Sequence, residues 1–181
     1  MLAYELHAVM PQKQKRFSMS YADSYIAKLR QQVGNQELLV PGAQVLLLRG
    51  NQALFQRRTD SGEWEIPAGS AEPGQSFSQT AVSEVQEEIG LSIDPADLVA
   101  FASFSDPAEH RLVYPNGDVV HAFALCFVAE RWQGSPNGSE EEVTEWAFYP
   151  LDNPPTPLRH STQQVLKFYR NFVKTGAFQA F

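Results

Sequence analysis

The sequence predicts an α/β domain in which helices pack on the faces of a mixed sheet, and three observations carry that expectation. Apolar and alternating runs of strand character recur along the chain, separated by turns rich in Gly, Pro, Asn and Asp. Between them lie segments with apolar residues at helical spacing, one of them central and acidic. The 181 residues, 43% hydrophobic and 19% charged, suffice for one domain with a substantial core and leave little room for a second.

Residues 1 to about 19 mix polar and apolar types without a period, with a small basic cluster at Lys13, Lys15 and Arg16. The segment Tyr21–Arg30 then places Tyr21, Tyr25, Ile26 and Leu29 at helical spacing, and Gly34 is placed to stop that helix. Residues 1–36 are therefore expected to form an arm and a short helix ahead of the main domain at 37–181. Leu38–Leu48 and Gln52–Arg57 flank the turn Arg49-Gly50-Asn51 and read as a hairpin.

The central segment opens with the turn Pro73-Gly74 and a capping box of Ser76 and Gln79, and Gly90 can end it in a left-handed conformation. Its apolar stripe is Phe77, Ala81, Val85 and Ile89. Further strands are expected over Leu98–Phe104, Val119–Ala129 and Thr144–Pro150, with a turn at Tyr114–Asp118 and a loop from Gly134 to Gly138. A closing helix from about Pro157 to Lys174 carries Val165, Leu166, Tyr169 and Phe172 on one stripe.

The net charge of −7 and the absence of a long basic run argue against a general attraction to nucleic acid or an anionic membrane. No apolar stretch approaches the ~18 residues a membrane span needs, and the N-terminus lacks the uninterrupted apolar segment of a signal peptide, so the expected location is the cytoplasm. The single cysteine, Cys126, lies in an apolar run and reads as a buried, inert thiol.

Glu84, Glu87 and Glu88 stand at i, i+3 and i+4 on the central helix, on one side and about a quarter-turn from its apolar stripe. Like charges at that spacing repel, so the trio is either a solvated acidic face or a site where a cation offsets the charge. Grouped hard oxygen donors suit Mg2+ or Mn2+, completed by water and substrate phosphate.

The stretch from Gly69 to Leu91 resembles the Nudix hydrolase signature, G-x5-E-x7-R-E-U-x-E-E-x-G-U with U a bulky aliphatic. Gly69, Glu84, Val85, Glu87, Glu88, Gly90 and Leu91 match it in register, and Gly62–Gly69 is similar to the approach into the signature. Two positions depart: Gln75 stands where the family has glutamate and Ser83 where it has arginine. Those residues pair as a salt bridge in the family, and losing both together leaves no unpaired buried charge.

The resemblance implies a Nudix-type α/β/α sandwich with a mixed sheet, the signature helix packed on it. It also implies hydrolysis of the pyrophosphate linkage of a nucleoside diphosphate derivative. Glu84, Glu87 and Glu88, with a backbone carbonyl at Ala68 or Gly69, would hold Mg2+ or Mn2+. The general base would be one of the signature glutamates, Glu87 or Glu88, or a glutamate of a later loop, Glu142 or Glu145. Arg57 or Arg58 at the end of the hairpin, and Tyr114, are candidates for contact with substrate. His110 and His121 read as structural or exposed.

Pro67-Ala68-Gly69, and Pro107 placed 16 positions after Leu91, resemble the subgroup that cleaves ADP-ribose and other ADP-sugars. Family members are often dimers, so a homodimer using the N-terminal helix is an option. The alternative reading, supported by Gln75 and Ser83, is a catalytically weakened domain that binds a nucleotide or a protein as a sensor.

Overall fold

Strand β1 (Leu38–Arg49) is the axis of the molecule, because its alternate side chains supply both cores. Ala43, Val45 and Leu47 enter one, while Leu46 and Leu48 enter the other. The computed structural model describes residues 21–114, 116–137 and 143–181. The N-terminal arm, Pro115 of the expected turn, Gly138 of the expected loop and Glu142 lie outside those residues.

Around β1 the chain adds α1 (Tyr25–Val33), β2 (Gln52–Arg58), β3 (Trp64–Glu65) and β4 (Ala68–Ser70). Next come α2 (Phe77–Glu84), β5 (Val99–Phe104), the single turn α3 (Pro107–His110) and β6 (Arg111–Val113). β7 (Val119–Ala129), β8 (Val143–Pro150), α4 (His160–Thr175) and β9 (Gln179–Ala180) complete it. The main path of the mixed sheet runs β3-β2-β1-β7-β5-β9, with β4 on β1, β6 on β7 and β8 on β2. β1 and β7 run parallel over ten paired positions, from Leu38↔Val120 to Leu47↔Ala129.

Helix α2 and the turn Val85–Ile89 that continues it cover one face through Ala81, Val85 and Ile89, and α4 covers the other through Val165 and Leu166, together with Phe168, Tyr169 and Phe172. The result is the expected α/β/α sandwich. Cys126 is buried in the α4-side core, where desolvation pushes its thiol well above the ordinary range. No helix among the described residues is long and apolar enough to cross a membrane.

The stripe expected on the signature helix needs two corrections. Phe77 is 41% exposed, because burial begins only at Thr80 and Ala81, after the first turn. The helix is also not uniform: α2 continues directly into a wider π-helical turn, Val85–Ile89, which Gly90 ends at φ 76°. The Ser76–Gln79 capping box forms as expected, with the Ser76 side chain accepting from the Gln79 N–H and the Gln79 side chain accepting from the Ser76 N–H.

Ahead of β1, α1 starts at Ser24, whose hydroxyl accepts from the Ala27 N–H, and stops at Gly34. It is tied to the main body at both ends. The Tyr25 N–H donates to the Glu72 carboxylate at 2.9 Å, and Arg30 donates to Val119 O at 2.7 Å while facing Asp118 at 3.5 Å.

Candidate active site

A cavity of about 710 Å³ opens on the α4-side face of the sheet beyond the start of α4, and most of the sequence-predicted residues surround it. Its floor is the early part of β1 and β7, with Gly42, Gln44, Ala122 and Ala124. One wall carries Ala68, Gly69, Glu84, Glu87 and Glu88, and another carries Arg58, Glu65 and Arg159. Tyr114 and His110 stand on the β6 side, and Ser24, Ile26 and Arg30 of α1 close part of the opening.

The approach of β4 to the signature helix is unusually close. A Cβ added at Gly69 would lie 2.1 Å from the Glu84 carboxylate, and one at Gly42 would lie 2.4 Å from Gly69 O. Only glycine lets the backbone and the carboxylate meet in this way. Four residues further on, Glu88 is 5% exposed and accepts a hydrogen bond from the Ala68 N–H at 3.1 Å. Burial holds its carboxyl well above the usual carboxylate range, and the nearby Glu65 and Glu84 push it further the same way. A crowd of oxygen donors that resists its own ionisation is the environment a cation relieves.

Glu65 is the charge that local sequence reasoning missed. It lies opposite Gln56 in the β2–β3 register, is 4% exposed, and takes Arg58 on Oε1 and Arg159 on Oε2, each at 2.9 Å. Asp60 pairs with Arg58 from the other side, and its own carboxyl is lowered by that guanidinium to about 2. The hydrogen bonds that Arg58 donates to Asp60, helped by Glu65, raise its guanidinium against the opposing effect of its burial. Arg159 comes from the position just ahead of α4, 94 residues from Glu65, so no local pattern announces the pair.

The structure separates two of the expected residues from this cavity. Alternation along β2 sends Arg58 toward Glu65 and Arg57 to the opposite face, where Arg57 donates to Gly62 O at 2.9 Å. Arg57 there faces Glu145, its register partner on β8, at 3.9 Å, with both side chains about half exposed. Gln75 and Ser83, in contrast, do meet: the Gln75 amide donates to the Ser83 hydroxyl at 3.2 Å. The Gln75 carbonyl accepts from the Glu72 N–H at 3.0 Å and the Thr80 hydroxyl at 3.2 Å. A neutral hydrogen-bonded pair thus occupies the place where the signature carries an ion pair.

Among the described residues, no three His, Cys, Asp or Glu side chains converge tightly enough to form a complete metal cage. The donor chemistry nevertheless fits Mg2+ or Mn2+, which take only a few carboxylates from a protein and complete their shell with water and phosphate.

The NUDIX domain profile matches residues 38–171 of this chain. The chain belongs to the Nudix family. Family members are hydrolases of phosphorus-containing anhydrides and generally use a divalent metal ion. This Nudix domain is 31% identical over 131 residues to the NAD-capped RNA hydrolase NudC of Stutzerimonas stutzeri (strain A1501), covering 71% of this chain and 43% of that protein. The chain therefore spans less than half the length of that relative. Its fold is similar to the MutT NUDIX hydrolase from Burkholderia pseudomallei, with a TM-score of 0.61 at 19% identity over 72% of this chain and 97% of that one. It is also similar to an ADP-ribose pyrophosphatase from Streptococcus suis 89-1591, with a TM-score of 0.57 at 19% identity over 78% and 98% of the two chains. At those identities the likeness is one of fold.

Proposed function

We propose that this Nudix domain hydrolyses the pyrophosphate linkage of a nucleoside diphosphate derivative in a metal-dependent reaction, with ADP-ribose or another ADP-sugar as the first substrate to test. The observation that supports it most is the crowding of the buried Glu65 and Glu88 with the half-buried Glu84 beside Ala68, on the wall of a cavity large enough for a dinucleotide-sized ligand. Glu84, Glu87 and Glu88, with a carbonyl at Ala68 or Gly69, are the groups proposed to hold Mg2+ or Mn2+. When bound, such an ion supplies charge neutralisation for the pyrophosphate and an acidified water.

The chain's own residues do the rest. Arg58 and Arg159 line the cavity and carry guanidinium donors that are braced by Glu65, so they offer phosphate oxygens fixed positive charge. Glu87 is on the cavity wall and less buried than Glu88, which makes it the proposed acceptor of the water proton. Glu145, paired with Arg57 outside the cavity, is less well placed for that role.

The test is to incubate the protein with Mg2+ or Mn2+ and ADP-ribose, other nucleotide sugars, dinucleoside polyphosphates, nucleoside triphosphates and an NAD-capped RNA, measuring released monophosphate. Turnover that disappears in Glu87→Gln and Glu88→Gln supports the hydrolase. Tight nucleotide binding without turnover refutes it and leaves the sensor reading, which the neutral Gln75–Ser83 contact favours because it leaves one fewer carboxylate beside the cluster.

A further inference from the structure

We propose that Glu72 is a positioning residue that fastens helix α1 across the cavity, so that α1 works as a strap against one side of the bound ligand. The inference rests on the reading of the cavity as a nucleoside diphosphate site, and it gives a role to a helix that lies ahead of the segment matched by the family profile. Burial does not hold α1 in place. Ala27 is the buried residue of its nine, so polar links to the main body decide where the helix lies.

The two ends are tied differently. At the C-terminal end the Arg30 guanidinium donates to Gly34 O, Gln36 O and Val119 O and faces Asp118, which anchors the helix to the turn between β6 and β7. At the N-terminal end the Glu72 carboxylate accepts the Tyr25 N–H, at 2.9 Å on one oxygen and 3.1 Å on the other. That N–H belongs to the first turn, whose donors have no partner within the helix, and the helix dipole favours a negative charge there. Glu72 is itself held. Its N–H donates to the Gln75 side-chain carbonyl at 3.0 Å, and the preceding Ala71 N–H donates to Pro41 O of β1 at 2.9 Å. The fastening therefore runs from the lead-in of the signature helix, through one carboxylate, to α1.

A strap fixed in this way has a side that meets ligand. Ile26 and Arg30, one turn apart, both line the cavity, and so do Val40, Val120 and Leu112 from the neighbouring strands β1, β7 and β6. Ile26 is apolar and half-buried, which suits the face of a nucleoside ring rather than a phosphate.

Hydrogen exchange of the full chain without ligand tests the fastening. Glu72→Ala removes the carboxylate, and Glu72→Gln keeps one acceptor for the Tyr25 N–H. Amides of residues 26–33 are expected to exchange about fivefold faster in Glu72→Ala, with those of β1 and β7 unchanged and most of the protection recovered in Glu72→Gln. Unchanged exchange in Glu72→Ala overturns the proposal.

Kinetics with ADP-ribose test the consequence. Glu72→Ala is expected to raise KM about fivefold with kcat within about twofold, and Glu72→Gln to recover most of that loss. A matching fall in kcat would place Glu72 in the chemistry, and an unchanged KM would make α1 a passive leader; either result overturns the proposal. Calorimetric binding of ADP-ribose in the presence of Ca2+ separates this idea from the hydrolase reading. If the wild type binds without turnover, the hydrolase reading fails alone, and about fivefold weaker binding by Glu72→Ala still supports the strap. Equal affinities, or no binding by the wild type, overturn it.

Discussion

The contact between Gln75 and Ser83 can be converted back into an ion pair, and its geometry sets how much that is worth. The present hydrogen bond spans 3.2 Å and is only partly buried, so it contributes about 0.5–1.5 kcal/mol. Gln75→Glu alone keeps an acceptor for the Glu72 N–H and the Thr80 hydroxyl, and it adds a charge on the side of the helix that already carries Glu84. Ser83→Arg alone loses the serine contact and places a guanidinium against a neutral amide.

With both changes, opposite charges about 4 Å apart attract by roughly 4 kcal/mol at an effective dielectric of about 20. Screening and the ordering of two long side chains reduce this to about 1–2 kcal/mol at a half-exposed site. Urea unfolding of the wild type, both single variants and the double variant isolates that coupling free energy. Additivity within about 0.3–0.5 kcal/mol would refute the claim that positions 75 and 83 face each other.

Glu88→Gln should remove turnover while raising the metal-free thermal midpoint by about 2–4 °C, corresponding to about 1 kcal/mol, because a crowded buried carboxyl becomes a neutral acceptor for the Ala68 N–H; a lower midpoint by scanning calorimetry would contradict the crowding. Gly42→Ala forces a Cβ to 2.4 Å from Gly69 O, so β4 must shift, at a cost of about 1–3 kcal/mol measurable by denaturation together with reduced activity. His110 should make the fold acid-sensitive. Its imidazole is lowered in the native state by burial, against the opposing pull of Asp106 and Glu109 and with help from His160. The unfolded chain then binds the extra proton first, and stability present above a pH of about 6.5 is lost as pH falls below it. His110→Phe should show a smaller drop in unfolding free energy between pH 7.5 and 5.5, and an equal drop would show that other groups set the acid response.

Most of the long elements were readable because their periods extend over enough residues to be seen. β1, β2, β5, β7 and β8 fall within one or two residues of the expected spans, and α4 begins three residues later than expected, after Arg159. β3, β4, β6 and β9 have two or three residues each, too few for alternation to emerge, and they exist only because a longer strand lies alongside.

The same distinction holds at the site. Glu84, Glu87 and Glu88 share one short segment and one signature, so their grouping was visible in the sequence. Glu65 and Arg159 meet across 94 residues, and the wide turn at Val85–Ile89 depends on packing that a uniform helical wheel does not contain. His110 was visible only as a histidine. Its burial against the Phe104 ring is a property of the folded surroundings.

Helix α1 lies before the segment that the family profile matches, yet Ser24, Ile26 and Arg30 help enclose the cavity and Tyr25 is hooked onto Glu72 beside the signature helix. The shared catalytic body and the ligand enclosure therefore have different sequence boundaries. Under the proposed function, exchange of those few preceding residues should change which ligands the cavity admits while leaving the carboxylate-bearing helix untouched.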